Sequence, residues 1–190
     1  MILEHYSHGP LDPKPRDFGQ PDKKPGWGKP MKPEGLWVSI PGEDDWPSWC
    51  RSEEFATERL RVCTKVVLWP HANLKLIENE AQIIQFDDEY GFDWDIGGSG
   101  MTSRRINWQR VAMDYDGIVI APYVWSCRLP MEMGTPRSRV SDWYYSWDCA
   151  SGCIWNGTNA IAAFELLSPT DEIHIGDGQV LEQGRQAAAG

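Results

Sequence analysis

Cysteine, histidine and tryptophan are the residue types with the most chemical scope in this sequence, and their spacing narrows it. The five cysteines, Cys50, Cys63, Cys127, Cys149 and Cys153, make no Cys-x-x-Cys pair, and the four histidines are scattered. Cys149 and Cys153 alone are a poor start for a tetrahedral metal site, so no metal is expected. Either thiol as a nucleophile lacks a histidine nearby in sequence, though a base need only be close in space. The chain carries no Walker phosphate loop, no G-x-G-x-x-G, no H-E-x-x-H and no G-x-S-x-G. There are also eleven tryptophans. Truncating one in a core costs roughly 3–5 kcal/mol, so some are structural. A chain this short has difficulty burying them all, and one or two are expected to line a pocket for a flat, π-bearing ligand.

The 190 residues suit one compact domain, taken as 1–183 with a frayed tail over 184–190. A hydrophobic content of 41% and a charged content of 24% support a folded core. No run approaches the ~18 apolar residues of a membrane span, which sets aside membrane, collagen-like and wholly disordered classes. With 18 basic and 28 acidic side chains the formal charge is −10. That sign disfavours coating a duplex by phosphate neutralisation. It permits a small nucleic-acid site, and it fits docking on a basic protein. The odd cysteine count and the absence of a charged-then-apolar leader lead to an expectation of reduced thiols in a cytoplasmic compartment.

The elements that must position any site are legible in outline. Residues 1–7 read as a strand. Residues 9–34 hold seven prolines interleaved with Lys14, Arg16, Lys23, Lys24, Lys29 and Lys32, a composition that excludes a regular helix or central strand and predicts a long basic loop covering something. Gly35 to Ile40 alternates as a strand, and 52–60 reads as a short helix with Ser52 as N-cap. Arg61 to Trp69 and Asn73 to Ile77 read as strands. Asn79-Glu-Ala-Gln82 has capping-box form before a helix whose Ile83, Phe86 and Tyr90 share a face, closed by Gly91. A glycine-rich acidic loop follows, and then Asn107 caps a helix presenting Trp108, Val111, Ala112 and Tyr115. Ile118 to Ile120 begins a buried strand, Trp143 to Trp155 reads as one or two strands, and Ala160 to Leu167 as another. The class is α+β, with six to eight strands and two or three small helices.

Tyr115-Asp-Gly-Ile118, Cys153-Ile-Trp-Asn156 and Ile161 follow one another in an order that resembles the ADP-ribosyltransferase superfamily. His5-Tyr-Ser7 is similar to the family's opening element that grips the NAD ribose, and Gly35-Leu-Trp-Val-Ser39 to the strand beside the nicotinamide. The stretches Gly35 to Ser39 and Trp143 to Trp155 also resemble sequences of phage and actinobacterial type. The resemblance implies two small, mostly antiparallel sheets around a cleft. It implies NAD as substrate, held by His5, Ser7, Gly35, Trp37, Ser39 and Ser151, and a protein or nucleic-acid acceptor. It also implies an acid aimed at the positive charge that develops as nicotinamide leaves, a group that acts more strongly in the transition state than in the ground state. Counting back from Ile161, that acid should fall at Ser151 or Gly152, and neither is acidic; Asp148 is the nearest carboxylate and the candidate catalytic residue.

Each of these residues has a plainer reading. Asp116-Gly117 suits a helix-to-strand turn, Asp148 a turn or cap, His5 an edge strand and Trp37 a core. Glu165 is a fallback acid whose apolar strand points it outward. His8, His71 and His174 read as surface residues. Glu78 to Asp95, with seven acids and no base, reads as a solvated face or a docking patch. The rival functions are therefore a non-catalytic factor that captures a nucleotide or a host protein, and an assembly protein with no ligand.

Overall fold

A computed structural model describes residues 1–19, 31–128 and 141–169 of the chain. Strands β1 (Glu4–Ser7), β2 (Leu36–Ser39), β3 (Val62–Leu68), β4 (Leu74–Ile77), β7 (Gly117–Ile120), β8 (Ser151–Ile154) and β9 (Ile161–Pro169) form one sheet in the order β4-β7-β8-β2-β1-β3-β9. Strands β5 (Gly91–Asp95) and β6 (Thr102–Ile106) form a separate hairpin. β4 and β7 run parallel, and every other neighbouring pair is antiparallel. A parallel pair needs a crossover, which here consists of helix α2 (Glu80–Tyr90), the β5/β6 hairpin and helix α3 (Trp108–Asp114). The remaining helical pieces are α1 (Trp46–Ser52), a 3₁₀ turn (Thr57–Arg61), α4 (Trp125–Arg128), α5 (Ser141–Tyr144) and α6 (Gly157–Ala160).

The architecture is α+β, but the two expected small sheets are replaced by a continuous seven-stranded one plus a hairpin, and the described residues hold nine strands and six α-helices rather than six to eight strands and two or three helices. The continuity is thin at one place. β1 and β2 share the single register pair Glu4↔Ser39, whereas β1 and β3 share four pairs and β2 and β8 share four. The sheet is therefore two well-laddered halves, β4-β7-β8-β2 and β1-β3-β9, meeting at a seam.

Two cores flank the sheet. One is aromatic, with Phe86, Tyr90, Trp108, Trp143, Tyr144 and Trp147 among its members. The other is aliphatic and spans the seam, since Leu3 and Val66 from one half pack with Leu36, Val38, Val119 and Ile154 from the other. Burial of apolar area on that face holds the halves together where main-chain bonds are sparse.

Local chemistry explains where the elements begin. The Asn79 side chain accepts from Gln82 N at 3.0 Å and the Asn107 side chain from Arg110 N at 3.1 Å, so both expected N-caps are present. Asp116 anchors the entry to β7: its carboxylate accepts from Asn73 N, Asn156 Nδ2 and Asn159 Nδ2. That bonding ties three segments together and makes Asp116 much more than a turn residue.

Four expectations are corrected. The helix placed at 52–60 lies instead at Trp46–Ser52, because Asp45 accepts from Ser48 N and Pro47 suits the first turn. Glu54 and Ala56, both with φ near +50°, then break the chain before the 3₁₀ turn. The acidic loop after Gly91 is the β5/β6 hairpin. Trp143 to Ala150 is not strand; α5 and an irregular run precede β8. Finally, Glu78 to Asp95 is not uniformly solvated, since Asp87 is buried and takes Arg104 Nε at 2.9 Å and Trp143 Nε1 at 3.0 Å. Burial pushes the Asp87 carboxyl up, against the pull of Arg104. His174 and the tail over 184–190 lie outside the described residues, as do Lys23, Lys24 and Lys29 of the basic loop.

Candidate functional site

Where the seam opens, the chain forms a cleft of about 520 Å³, within the range of small-ligand sites. His5, Gly35, Trp37, Ser39, Asp148 and Ser151 all line it. These residues come from β1, from β2 with the glycine before it, and from β8 with the loop before it, so the fold gathers them from three separated stretches. Ser7 is the exception: it does not line the cleft, and its hydroxyl donates to Gly9 O at 2.7 Å, closing the turn after β1.

His5 does the work of a missing ladder bond. Its Nδ1 lies 2.7 Å from Trp37 O, and because a carbonyl only accepts, Nδ1 carries the proton and Nε2 is left as the acceptor. Burial lowers the imidazole's affinity for a second proton, more than the carbonyl contact raises it. The consequence for stability has a definite sign. The unfolded chain protonates His5 near its ordinary value of 6.5 and the folded chain only at lower pH. The stability His5 confers is thus present above about pH 6.5 and is lost as pH falls through the folded value. Denaturant melts between pH 7 and pH 5 are expected to show that loss and to show a flatter profile for His5→Gln; identical profiles would remove His5 as its source.

Trp37 packs against Trp147 with ring centroids 4.9 Å apart, placing one face on the aromatic core. Trp46 also lines the cleft, stacked on Trp49 at 5.2 Å, so among the described residues two tryptophans border the cavity. Ser39 is buried, and its Oγ accepts from Trp46 N at 3.0 Å, which fixes the start of α1 at the cleft wall. Gly35 is glycine because β8 passes too close for a side chain: a Cβ would sit 2.6 Å from both Cys153 Sγ and Ile154 O.

Neither position where an acid was sought can act as one. Ser151 is buried and donates to Cys149 O at 2.9 Å. At Gly152 a Cβ would lie 2.6 Å from Ile118 O, so no carboxylate fits there. Asp148 is the carboxylate at this end, and it is ion-paired rather than a simple cap. Its Oδ2 takes Lys32 Nζ at 2.7 Å and its Oδ1 lies 3.6 Å from Arg128 Nη2, with the side chain 21% exposed. Arg128 is itself held over the rings of Tyr145, Tyr123 and Trp125, and it also donates to Asp148 O at 3.3 Å. The fallback acid Glu165 is exposed, is paired with Lys65 at 2.8 Å and does not line the cleft.

Glu4 and Arg59 are cleft residues that no motif in the sequence marks. Glu4 is a second carboxylate in the cavity, receiving the Tyr6 hydroxyl at 2.7 Å. Strand alternation puts Glu4 and His5 on opposite faces, and the parted seam is what lets both border one space. Arg16, Lys32 and Arg59 bring positive charge to the cleft, each beside a carboxylate: Asp12 at 2.8 Å, Asp148 at 2.7 Å and Glu58 at 3.9 Å. Two of those three come from the basic loop, which in its described part does border a cavity.

Thiol chemistry has no support here. All five cysteines are buried, and burial pushes Cys149 up to about 12 and Cys50 and Cys127 up to about 11. A thiol that stays protonated near neutrality is a poor nucleophile. Among the described residues no group of three histidine, cysteine or carboxylate side chains is disposed to hold a metal ion, and no helix is long and apolar enough to cross a membrane. No family model, curated protein or solved structure matches the chain.

Proposed function

We propose that the cleft binds NAD and that the protein transfers ADP-ribose to a protein or nucleic-acid acceptor. The observation that carries this reading is the convergence of His5, Trp37, Ser39 and Asp148 on one cavity, although the segments holding them are far apart in sequence. Ser39 holds the start of α1 at the cleft wall, and the other three each have a role matched to a part of the substrate. The π face of Trp37 suits the nicotinamide ring, and the parted edges of β1 and β2 offer main-chain groups to its carboxamide, as strand edges do to peptides. Nε2 of His5 is an acceptor for a ribose hydroxyl. Arg16, Lys32 and Arg59 supply charge for the pyrophosphate.

In the reaction the nicotinamide–ribose bond breaks with its electron pair leaving on the nicotinamide nitrogen. The anomeric carbon becomes electron-poor and is captured by a nucleophile of the acceptor. Asp148 contributes by opposing that positive charge, which requires it to give up one of its two cationic partners when substrate enters.

A second reading, a nucleotide-binding factor without chemistry, is favoured by that same pairing: Lys32 and Arg128 already neutralise Asp148, and Ser151 carries no acid. Calorimetric titration with NAD, with nicotinamide assayed in the same samples, separates the two. Binding with release is expected for the transferase and binding without release for the factor. No binding would overturn both.

A further inference from the structure

Lys32 occupies a position more informative than a surface ion pair. Its ammonium lies 2.7 Å from Asp148 Oδ2 and, at the same time, 5.3 Å from the centroid of the Trp37 ring. A carboxylate on one side and an indole face on another make the two halves of a cation-binding subsite. The Trp37 ring is kept in place by Trp147, and Asp148 is kept in place by Arg128, which is fixed over three aromatic rings and bonded to the Asp148 main chain. The subsite is therefore built from rigid parts, while its present occupant is the tip of a long side chain still 36% exposed. The residue after Lys32 is anchored, since Cys153 Sγ lies 3.8 Å from Pro33 O, so the stem stays nearby when the ammonium leaves.

We propose that Lys32 is the resident cation of a flat-cation subsite formed by Asp148 and Trp37, and that a ligand enters by substituting its own pyridinium-type ring for the lysine ammonium. Lys32 is then a specificity-determining residue. It excludes ligands whose flat ring is neutral, because such a ring would leave Asp148 beside Arg128 alone with one partner fewer. It favours ligands that carry an anionic group as well, because the displaced ammonium has somewhere to go. The anionic part of this argument rests on the cleft being an NAD site; the cation part does not.

The experiment titrates the full-length protein and its Lys32→Ala variant with 1-methylnicotinamide, a flat cation without phosphate, and with neutral nicotinamide. With the competitor removed, 1-methylnicotinamide is expected to bind the variant at least about fivefold more tightly than it binds the parent, and at least about fivefold more tightly than nicotinamide binds the variant. Lys32→Gln, which keeps most of the stem and loses the charge, is expected to give the same charged-ring preference. No preference for the charged ring in the variant would mean that only space was gained, and no tightening of 1-methylnicotinamide would mean that Lys32 does not occupy the subsite; each overturns the proposal. A parallel titration with ADP-ribose keeps the two readings apart. Its failure to bind the unaltered protein would remove the NAD reading and leave the cation subsite standing on the first result.

Discussion

In protein that releases nicotinamide from NAD, Asp148→Asn is expected to lower the rate about 100- to 1000-fold, with NAD affinity changed far less. The magnitude is that of removing one preorganised group aimed at developing charge. The amide keeps the size and one acceptor oxygen of the carboxylate, so packing is preserved and only the negative charge is lost. Arg128 retains the Tyr123 hydroxyl at 3.2 Å and the Asp148 carbonyl at 3.3 Å, which keeps the wall of the cleft in place. A melting temperature close to the unaltered protein's would show that the loss is chemical. Release at the original rate would take Asp148 out of the mechanism and leave Glu4 as the carboxylate to replace next.

The second large effect is on stability. Trp147→Ala is expected to cost about 3–5 kcal/mol, as aromatic truncations in a packed core do. Trp147 is fully buried between Trp108, at 6.3 Å, and Trp37, at 4.9 Å. Among the described residues its indole nitrogen has no hydrogen-bond partner, so the loss is one of packing and leaves no stranded partner behind. Trp147→Phe is accordingly expected to recover much of the stability, as read from urea midpoints. An alanine variant as stable as the parent would mean that the aromatic core closes over the cavity, and Trp37 would then have to shift with it.

How much of this was legible in the sequence depended on how local the cause was. Asn79 and Asn107 announce their helices because a cap and the apolar period after it lie within one turn of each other. Ile83, Phe86 and Tyr90 are buried as their spacing requires. The β5/β6 hairpin was missed because Phe92 and Trp94 alternate with Asp93 and Asp95, and the acids masked the alternation; Arg104, across the hairpin, is what makes Asp93 tolerable there. Trp143 and Tyr144 were read as strand because aromatic strand propensity reports a half-buried surface more than a backbone shape. His5, Trp37, Ser39 and Ser151 meet because their strands are neighbours. The contact between Lys32 and Asp148 bridges 116 residues, and no local pattern encodes it. The exclusion of an acid at Gly152 was equally hidden, since it arises from the main chain of another strand.

The seam between β1 and β2 gives the molecule a direction of easy deformation. Two stiff plates, each laddered along its own strands, are sutured at Glu4 and Ser39 and backed by a layer of aliphatic side chains. Such a layer resists separation but offers little resistance to small rotations, because apolar contact has no preferred direction. Gaping or narrowing of the cavity mouth about the suture would work against the His5–Trp37 bond and spare the ladders on either side. A molecule lodged between the plates would act as a strut, fixing their angle and stiffening strands it never touches.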